Sequence, residues 1–115
     1  MTEEANAFGL PTRWFERVIG LLAANPKVDR VLVFGSRARG DFRPTSDLDL
    51  ALDAPNLTHS EFVRLRKELD ELPFILKTDL VWLQDAGESF RANILGSAKE
   101  AFRREHAKPS CQEDV

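Results

Sequence analysis

Two aspartates, Asp47 and Asp49, lie two positions apart at the start of an apolar run and are the clearest candidates for chemistry. Side chains alternate between the faces of a β-strand, so both carboxylates are expected on one face, with Cα atoms roughly 6.5–7 Å apart. Like charges this close raise each other's pKa and are costly to bury unless a cation compensates them. Two Mg²⁺ ions would provide that compensation and would bridge to triphosphate oxygens.

A glycine-rich segment with the sequence GSRARG, residues 35–40, follows an apolar run and precedes these aspartates. A buried strand that ends in Gly35 predicts a tight turn. Free main-chain N–H groups, the Ser36 hydroxyl and Arg39 predict a phosphate site there, with Arg37 as a weaker candidate. An isolated Asp-x-Asp pair is more typical of a solvated strand edge. The Gly-Ser turn ten residues earlier favours phosphoryl or nucleotidyl transfer instead.

A third acid, Asp79, lies inside the apolar segment 75–83, where an unpaired charge is costly. One interpretation makes it a capping or edge residue. The other makes it the third carboxylate of the site, on a strand beside the one that carries Asp47 and Asp49. In that position it could bind the catalytic metal and help to deprotonate an incoming hydroxyl.

The pattern of apolar residues predicts the elements that must position this site. Thr58 and Glu61 are spaced as a capping box that opens a helix. A final apolar stripe from Phe90 to Phe102 predicts another helix. The predicted order is helix, strand, short helix, strand, helix, strand, helix, which is a small α/β domain with three strands flanked by helices. We expect a flexible arm at 1–11, the domain at 12–104 and a flexible tail at 105–115.

Composition narrows the class of protein. With 115 residues, 43% of them hydrophobic, the chain is long enough for one folded domain. A net charge of −3 argues against a nucleic-acid polymerase, which needs a basic track for its template. The single cysteine, Cys111, excludes a disulfide framework. The chain has no apolar run of the roughly 20 residues that a membrane span needs and no signal peptide at its start, so we expect a cytoplasmic protein.

Gly35-Ser36, ten intervening residues and then Asp47-Leu48-Asp49 resembles the signature of the DNA polymerase β-type nucleotidyltransferase superfamily. More narrowly, GSRARG followed by SDLDL resembles the minimal nucleotidyltransferases, small prokaryotic proteins that often act as antitoxins beside a HEPN-domain partner. The resemblance implies a mixed sheet, ATP as substrate, two Mg²⁺ ions and Asp79 as the third acid. It also implies the acceptor, a tyrosine hydroxyl of a HEPN-type toxin, to which AMP would be attached as pyrophosphate leaves.

Two other functions stay open at this point. The protein could neutralise a partner by stoichiometric binding without turnover, or it could modify a small hydroxylated molecule as aminoglycoside nucleotidyltransferases do. The second alternative is weaker because the chain has no room for a separate acceptor-binding domain. No residue can be assigned to reading the base, and the sequence leaves the oligomeric state undetermined.

Overall fold

The structure, a computed structural model, describes residues 6–73 and 76–105. They form a four-stranded sheet with the strand order β3-β2-β1-β4. Strand β1 pairs antiparallel with both β2 and β4, and β2 pairs parallel with β3, so the sheet is mixed, as the resemblance implied. The elements in chain order are α1 (Thr12–Ala23), β1 (Arg30–Phe34), α2 (Ser36–Arg39), β2 (Leu48–Asp53), α3 (His59–Asp70), β3 (Thr78–Trp82), a 3-10 turn (Leu83–Asp85), α4 (Glu88–Ser97) and β4 (Lys99–Arg103).

The fourth strand differs from the prediction of three strands and of a final helix that extends to Phe102. Helix α4 ends at Ser97, and Lys99–Arg103 pairs with β1 instead. The apolar positions of this segment fit a helical stripe and a short strand about equally well. Pairing decides between them, because without β4 the strand β1 would leave a row of main-chain groups unpaired.

The two faces of the sheet pack against different elements. One face carries the main core, in which β1, β2 and β3 contact α1 and α3. Its buried strand residues are Val31, Val33, Leu48, Leu50, Leu52 and Leu80. The other face has a small cluster of four buried residues, Leu32, Ala51, Leu83 and Ile94, the last of which belongs to α4. Because side chains alternate along β2, Asp49 lies on this second face.

The predicted flexible arm, residues 1–11, is ordered against the domain in the part that the structure describes. Leu10 is only 1% exposed, and the Phe8 ring lies 5.4 Å from that of Phe15. Leu10 belongs to the main core and Phe8 packs against it, so the described part of this arm lies against the domain. Residues 1–5 and the predicted tail from 106 onward lie outside the described residues, as does Ile75 at the predicted start of β3.

The capping box that begins α3 is confirmed. Glu61 N–H donates to the Thr58 hydroxyl at 3.2 Å, and Thr58 N–H donates to the Glu61 carboxylate at 2.9 Å. This reciprocal pair satisfies two donors at the first turn of the helix that covers the main core. Among the described helices, none is both long enough and apolar enough to cross a bilayer.

Candidate functional site

Strand pairing brings the acids together at one end of the sheet. Asp47 directly precedes β2, Asp49 is the second residue of β2, and Asp79 is the second residue of β3. In the parallel register Asp49 is the direct partner of Asp79. Because partners in register point to the same face, their two carboxyl groups lie side by side on the face opposite the main core.

The electrostatics of Asp49 reflect this crowding. Burial, followed by the charge of Asp79, a hydrogen bond shared with Asp79 and the charge of Asp47, raises the pKa of Asp49 from 3.8 to about 6. Arg39 acts in the opposite direction but does not offset these effects. Lys77 lies 3.8 Å from Asp79, in a pair whose two side chains are largely exposed. The site therefore holds more negative charge than its own cations balance.

Gly35 makes direct contact with this carboxylate. Its φ is +77°, a conformation that side chains with a Cβ rarely adopt, and a Cβ built there would overlap Oδ2 of Asp49. Glycine is therefore required at this position for two reasons: the positive φ of the turn, and the close contact between the Gly35 main chain and the Asp49 carboxylate. The contact also places the predicted phosphate turn directly against the acids.

The short helix α2 leaves polar groups available next to Gly35. The N–H groups of Ala38 and Arg39 both donate to the Gly35 carbonyl at 3.1 Å. The preceding N–H groups, those of Ser36 and Arg37, make no such main-chain bond within the described residues. The Arg39 side chain is 53% exposed and forms a surface ion pair with Asp41 at 3.4 Å. Ser36 and Arg39 thus lie beside the acids, where a phosphate could reach both.

Arg37 does not join them, and the prediction that it binds phosphate is corrected. Its side chain is 1% exposed, and its guanidinium donates to the carbonyls of Phe8 at 2.7 Å, Pro44 at 3.1 Å and Ser46 at 2.9 Å. The ring of Phe42 lies 4.9 Å from the guanidinium carbon. Arg37 therefore joins the N-terminal segment to the loop that leads into Asp47, and its donors are occupied by the protein itself.

Ser46, the residue before Asp47, is held by hydrogen bonds through both its hydroxyl and its carbonyl. Its hydroxyl accepts a hydrogen bond from the Arg43 N–H at 2.8 Å, and its carbonyl accepts two from Arg37. These bonds fix the turn immediately before Asp47. The signal in the sequence was a serine in a loop, since serine hydroxyls often bond to nearby main-chain groups in turns.

The donor set fits Mg²⁺, which prefers carboxylate oxygens, because Asp49 and Asp79 present two carboxyl groups side by side. Asp49 and Asp79 would form the paired ligands, with the exposed Asp47 at the rim. Within residues 6–73 and 76–105, no three acidic, histidine or cysteine side chains form a preformed cage around one point.

Comparison with known proteins identifies the family of this chain. The family described as Polymerase beta, Nucleotidyltransferase matches residues 16–107. The crystal structure of a toxin-antitoxin with AMP-PNP is 27% identical, with a TM-score of 0.63 over 78% of this chain and 73% of that chain. The tri-AMPylated Shewanella oneidensis HEPN toxin in complex with an MNT antitoxin is 25% identical, with a TM-score of 0.58 over 78% and 70%.

A protein solved as a candidate minimal nucleotidyltransferase is 31% identical, with a TM-score of 0.59 over 76% of this chain and 92% of that chain. No curated protein matches. Because the family match spans most of the chain and the Gly-Ser turn touches the paired acids, this protein belongs to the polymerase β-type nucleotidyltransferases.

Proposed function

We propose that this protein transfers AMP from ATP to a hydroxyl group of a partner protein, a tyrosine of a HEPN-type toxin. One observation carries the proposal, the contact between the Gly35 turn and Asp49, which is itself paired with Asp79. That contact supports the proposal because it joins the turn that would bind the triphosphate to the two carboxylates that would bind Mg²⁺. Positioning and charge neutralisation are what nucleotidyl transfer requires of a protein.

The proposed roles of the site residues follow from their positions. Ser36 and Arg39 would hold the β- and γ-phosphates, since both are accessible beside the turn. Asp47, Asp49 and Asp79 would hold Mg²⁺. When bound, Mg²⁺ neutralises the triphosphate charge and favours attack on the α-phosphorus.

Asp79 would accept the proton of the acceptor hydroxyl. It lies on β3, an edge strand of the described sheet, and its side chain is 44% exposed. The hydroxyl oxygen forms a bond to the α-phosphorus, the bond to the β-phosphate bridging oxygen breaks, and pyrophosphate leaves. The hydroxyl proton passes to Asp79 or to solvent beside it.

The choice of acceptor rests on the relatives. Two of the similar structures are toxin-antitoxin complexes, one solved with AMP-PNP and one with an AMPylated HEPN toxin. A partner protein that supplies its own hydroxyl is consistent with both of these complexes.

The test is to incubate the protein with the product of its neighbouring toxin gene, ATP and Mg²⁺, and to measure the intact mass of the toxin. We expect a gain of one or more AMP units, abolished by Asp49→Asn. Asp53→Asn is the matched control, because Asp53 lies on the same strand and face but pairs with Arg30 at 2.8 Å. Inhibition of the toxin without any mass change would contradict the proposal and favour stoichiometric neutralisation.

A further inference from the structure

A cavity of about 210 Å³ lies between the Gly35 turn and α4. Two of its lining residues, Gly35 and Arg39, also form the proposed phosphate site. A triphosphate held there would therefore have the rest of the nucleotide within reach of this cavity. The full lining is Phe34, Gly35, Arg39, Phe90, Asn93, Ile94 and Ser97.

The α4 wall of the cavity is built from one helix face. Phe90, Asn93 and Ser97 recur at helical spacing, and all three are exposed. Ile94, on the same stripe, is only 2% exposed and packs with Leu32 on the sheet. That buried anchor fixes the helix, so the three exposed residues are held in place over the turn rather than left on a mobile loop.

Phe90 has the character of a stacking platform. Its side chain is 47% exposed, although it lies beside a functional site and next to buried apolar residues. Phe34 supports it in an edge-to-face contact, with ring centroids 6.2 Å apart and planes at 83°. An aromatic ring that is supported at one side and open to solvent is suited to stack on a nucleobase.

Asn93 lies one turn further along α4 and supplies both a donor and an acceptor. No other residue in the described part of the chain forms a hydrogen bond with its amide. An asparagine amide pairs with the edge of a base such as adenine through two hydrogen bonds. Apart from Arg39 the lining is uncharged, which suits a neutral nucleoside better than a further phosphate.

The strand order separates this cavity from the acceptor side. The cavity opens at the end of β1, whereas Asp79 lies on β3, beyond β2 at the far edge of the sheet. An acceptor hydroxyl that reaches Asp79 would approach from that edge. The acceptor would then not occupy the cavity, which stays available to the nucleoside triphosphate.

We propose that this cavity binds the nucleoside of the triphosphate, with Phe90 stacking on the base and Asn93 hydrogen-bonding to its edge. The assignment rests on the proposed nucleotidyltransferase function and extends it to a base-reading site that the sequence did not reveal.

The test compares the affinities of ATP and inorganic triphosphate in the presence of Mg²⁺, by calorimetry, for the wild type and Phe90→Ala. We expect Phe90→Ala to weaken ATP binding about 10-fold or more and to leave inorganic triphosphate within about 2-fold, because only ATP carries a base. Leu95→Ala is the matched control, since Leu95 is also 47% exposed on α4 but does not line the cavity. It should change neither affinity.

Two further variants keep the result interpretable. Phe90→Leu preserves an apolar side chain of similar size and should still weaken ATP, which separates stacking from a loss of folding. Asn93→Ala should reduce the ratio between the affinities of the best and worst of ATP, GTP, CTP and UTP.

An unchanged ATP affinity in Phe90→Ala, or an equal loss for ATP and inorganic triphosphate, would overturn the base site while leaving the transfer reaction intact. A wild-type protein that binds neither ligand with Mg²⁺ would overturn the proposed function as well. The two failures are therefore distinguishable.

Discussion

The two faces of the sheet differ in how much apolar surface they bury. Among the described residues, seventeen buried apolar residues form the cluster on the face that packs on α1 and α3, whereas four form the cluster on the face that carries the acids. Two consecutive residues of β2 illustrate the difference between the faces. Leu50 is fully buried in the main core, whereas Asp49 points to the other face, where it lies beside Asp79. Stability is concentrated on one face, and the other is free to hold unbalanced charge.

The largest expected effect is the loss of activity when a charge is removed from the acidic face. Asp49→Asn keeps the size of the side chain but removes the charge that would bind Mg²⁺. We expect AMP transfer to fall on the order of 10³-fold, as for the loss of other preorganised electrostatic groups. Single-turnover transfer to the toxin measures it, and the circular dichroism spectrum should be unchanged. A rate within about 10-fold of the wild type would show that Asp49 is not a metal ligand.

The neighbouring residue on the opposite face should behave in the reverse way. Leu50→Ala removes a fully buried side chain from the main core. We expect the free energy of unfolding to fall by about 2–5 kcal/mol, with transfer per folded molecule nearly unchanged. Urea denaturation followed by fluorescence of the tryptophans checks this. A loss below about 1 kcal/mol would mean that the neighbouring core residues relax into the cavity left by the leucine side chain and recover most of the lost packing.

Two arginines of α2 repeat the contrast at a smaller scale. Arg37→Met leaves three carbonyl groups, those of Phe8, Pro44 and Ser46, without the buried guanidinium that donates to them. We expect a loss of about 1–3 kcal/mol in the free energy of unfolding and little change in ATP affinity measured on the folded protein. Arg39→Met should do the opposite, lowering ATP affinity without a change in stability, because its side chain is exposed. Equal loss of ATP affinity in both variants would argue against the separate roles.

The smallest effect concerns pH in the absence of metal. Because the folded state raises the pKa of Asp49 from 3.8 to about 6, the folded protein binds this proton more tightly than the unfolded chain. The ionised carboxylate therefore lowers stability above about pH 6, and the penalty disappears as pH falls below about 4.

The measurement is the free energy of unfolding of the wild type and Asp49→Asn in EDTA across this range. After allowance for solvent screening we expect Asp49→Asn to be more stable by about 1 kcal/mol at pH 7, and equal to the wild type near pH 3.5. Asp47, Asp79 and Arg39 face the same group and contribute to the shift. Equal stability at both pH values would show that the site tolerates the charge without a cation.

The position of Asp49 on a strand and of the glycine turn before it could be predicted from the sequence because both signals are local. Apolar residues alternate with Asp49 along β2, and a glycine before a short helix marks the turn. The capping box of Thr58 and Glu61 is equally local, being complete within four residues. The α/β class of the fold followed from the pattern of apolar residues, whereas the mixed sheet followed from the resemblance alone.

What could not be predicted depends on contacts distant in sequence. The strand β4 forms by pairing with β1, which lies some 70 residues earlier in the chain, although the residues of β4 fit a helix as well. Arg37 is buried because carbonyls from residues 8 and 44–46 surround it. Phe90 lines the cavity only because α4 packs against the sheet through Ile94. In each case a neighbour, and not the residue type, decides the outcome.

The contact between Gly35 and Asp49 also limits how this protein can change. No side-chain atom separates the backbone of one from the carboxylate of the other, so positions 35 and 49 are coupled. Enlarging either would force β1 and β2 apart, against the register in which Phe34 opposes Asp49. On the Gly35 side, the spacing between the proposed phosphate turn and the proposed metal ligand is consequently set by the main chain.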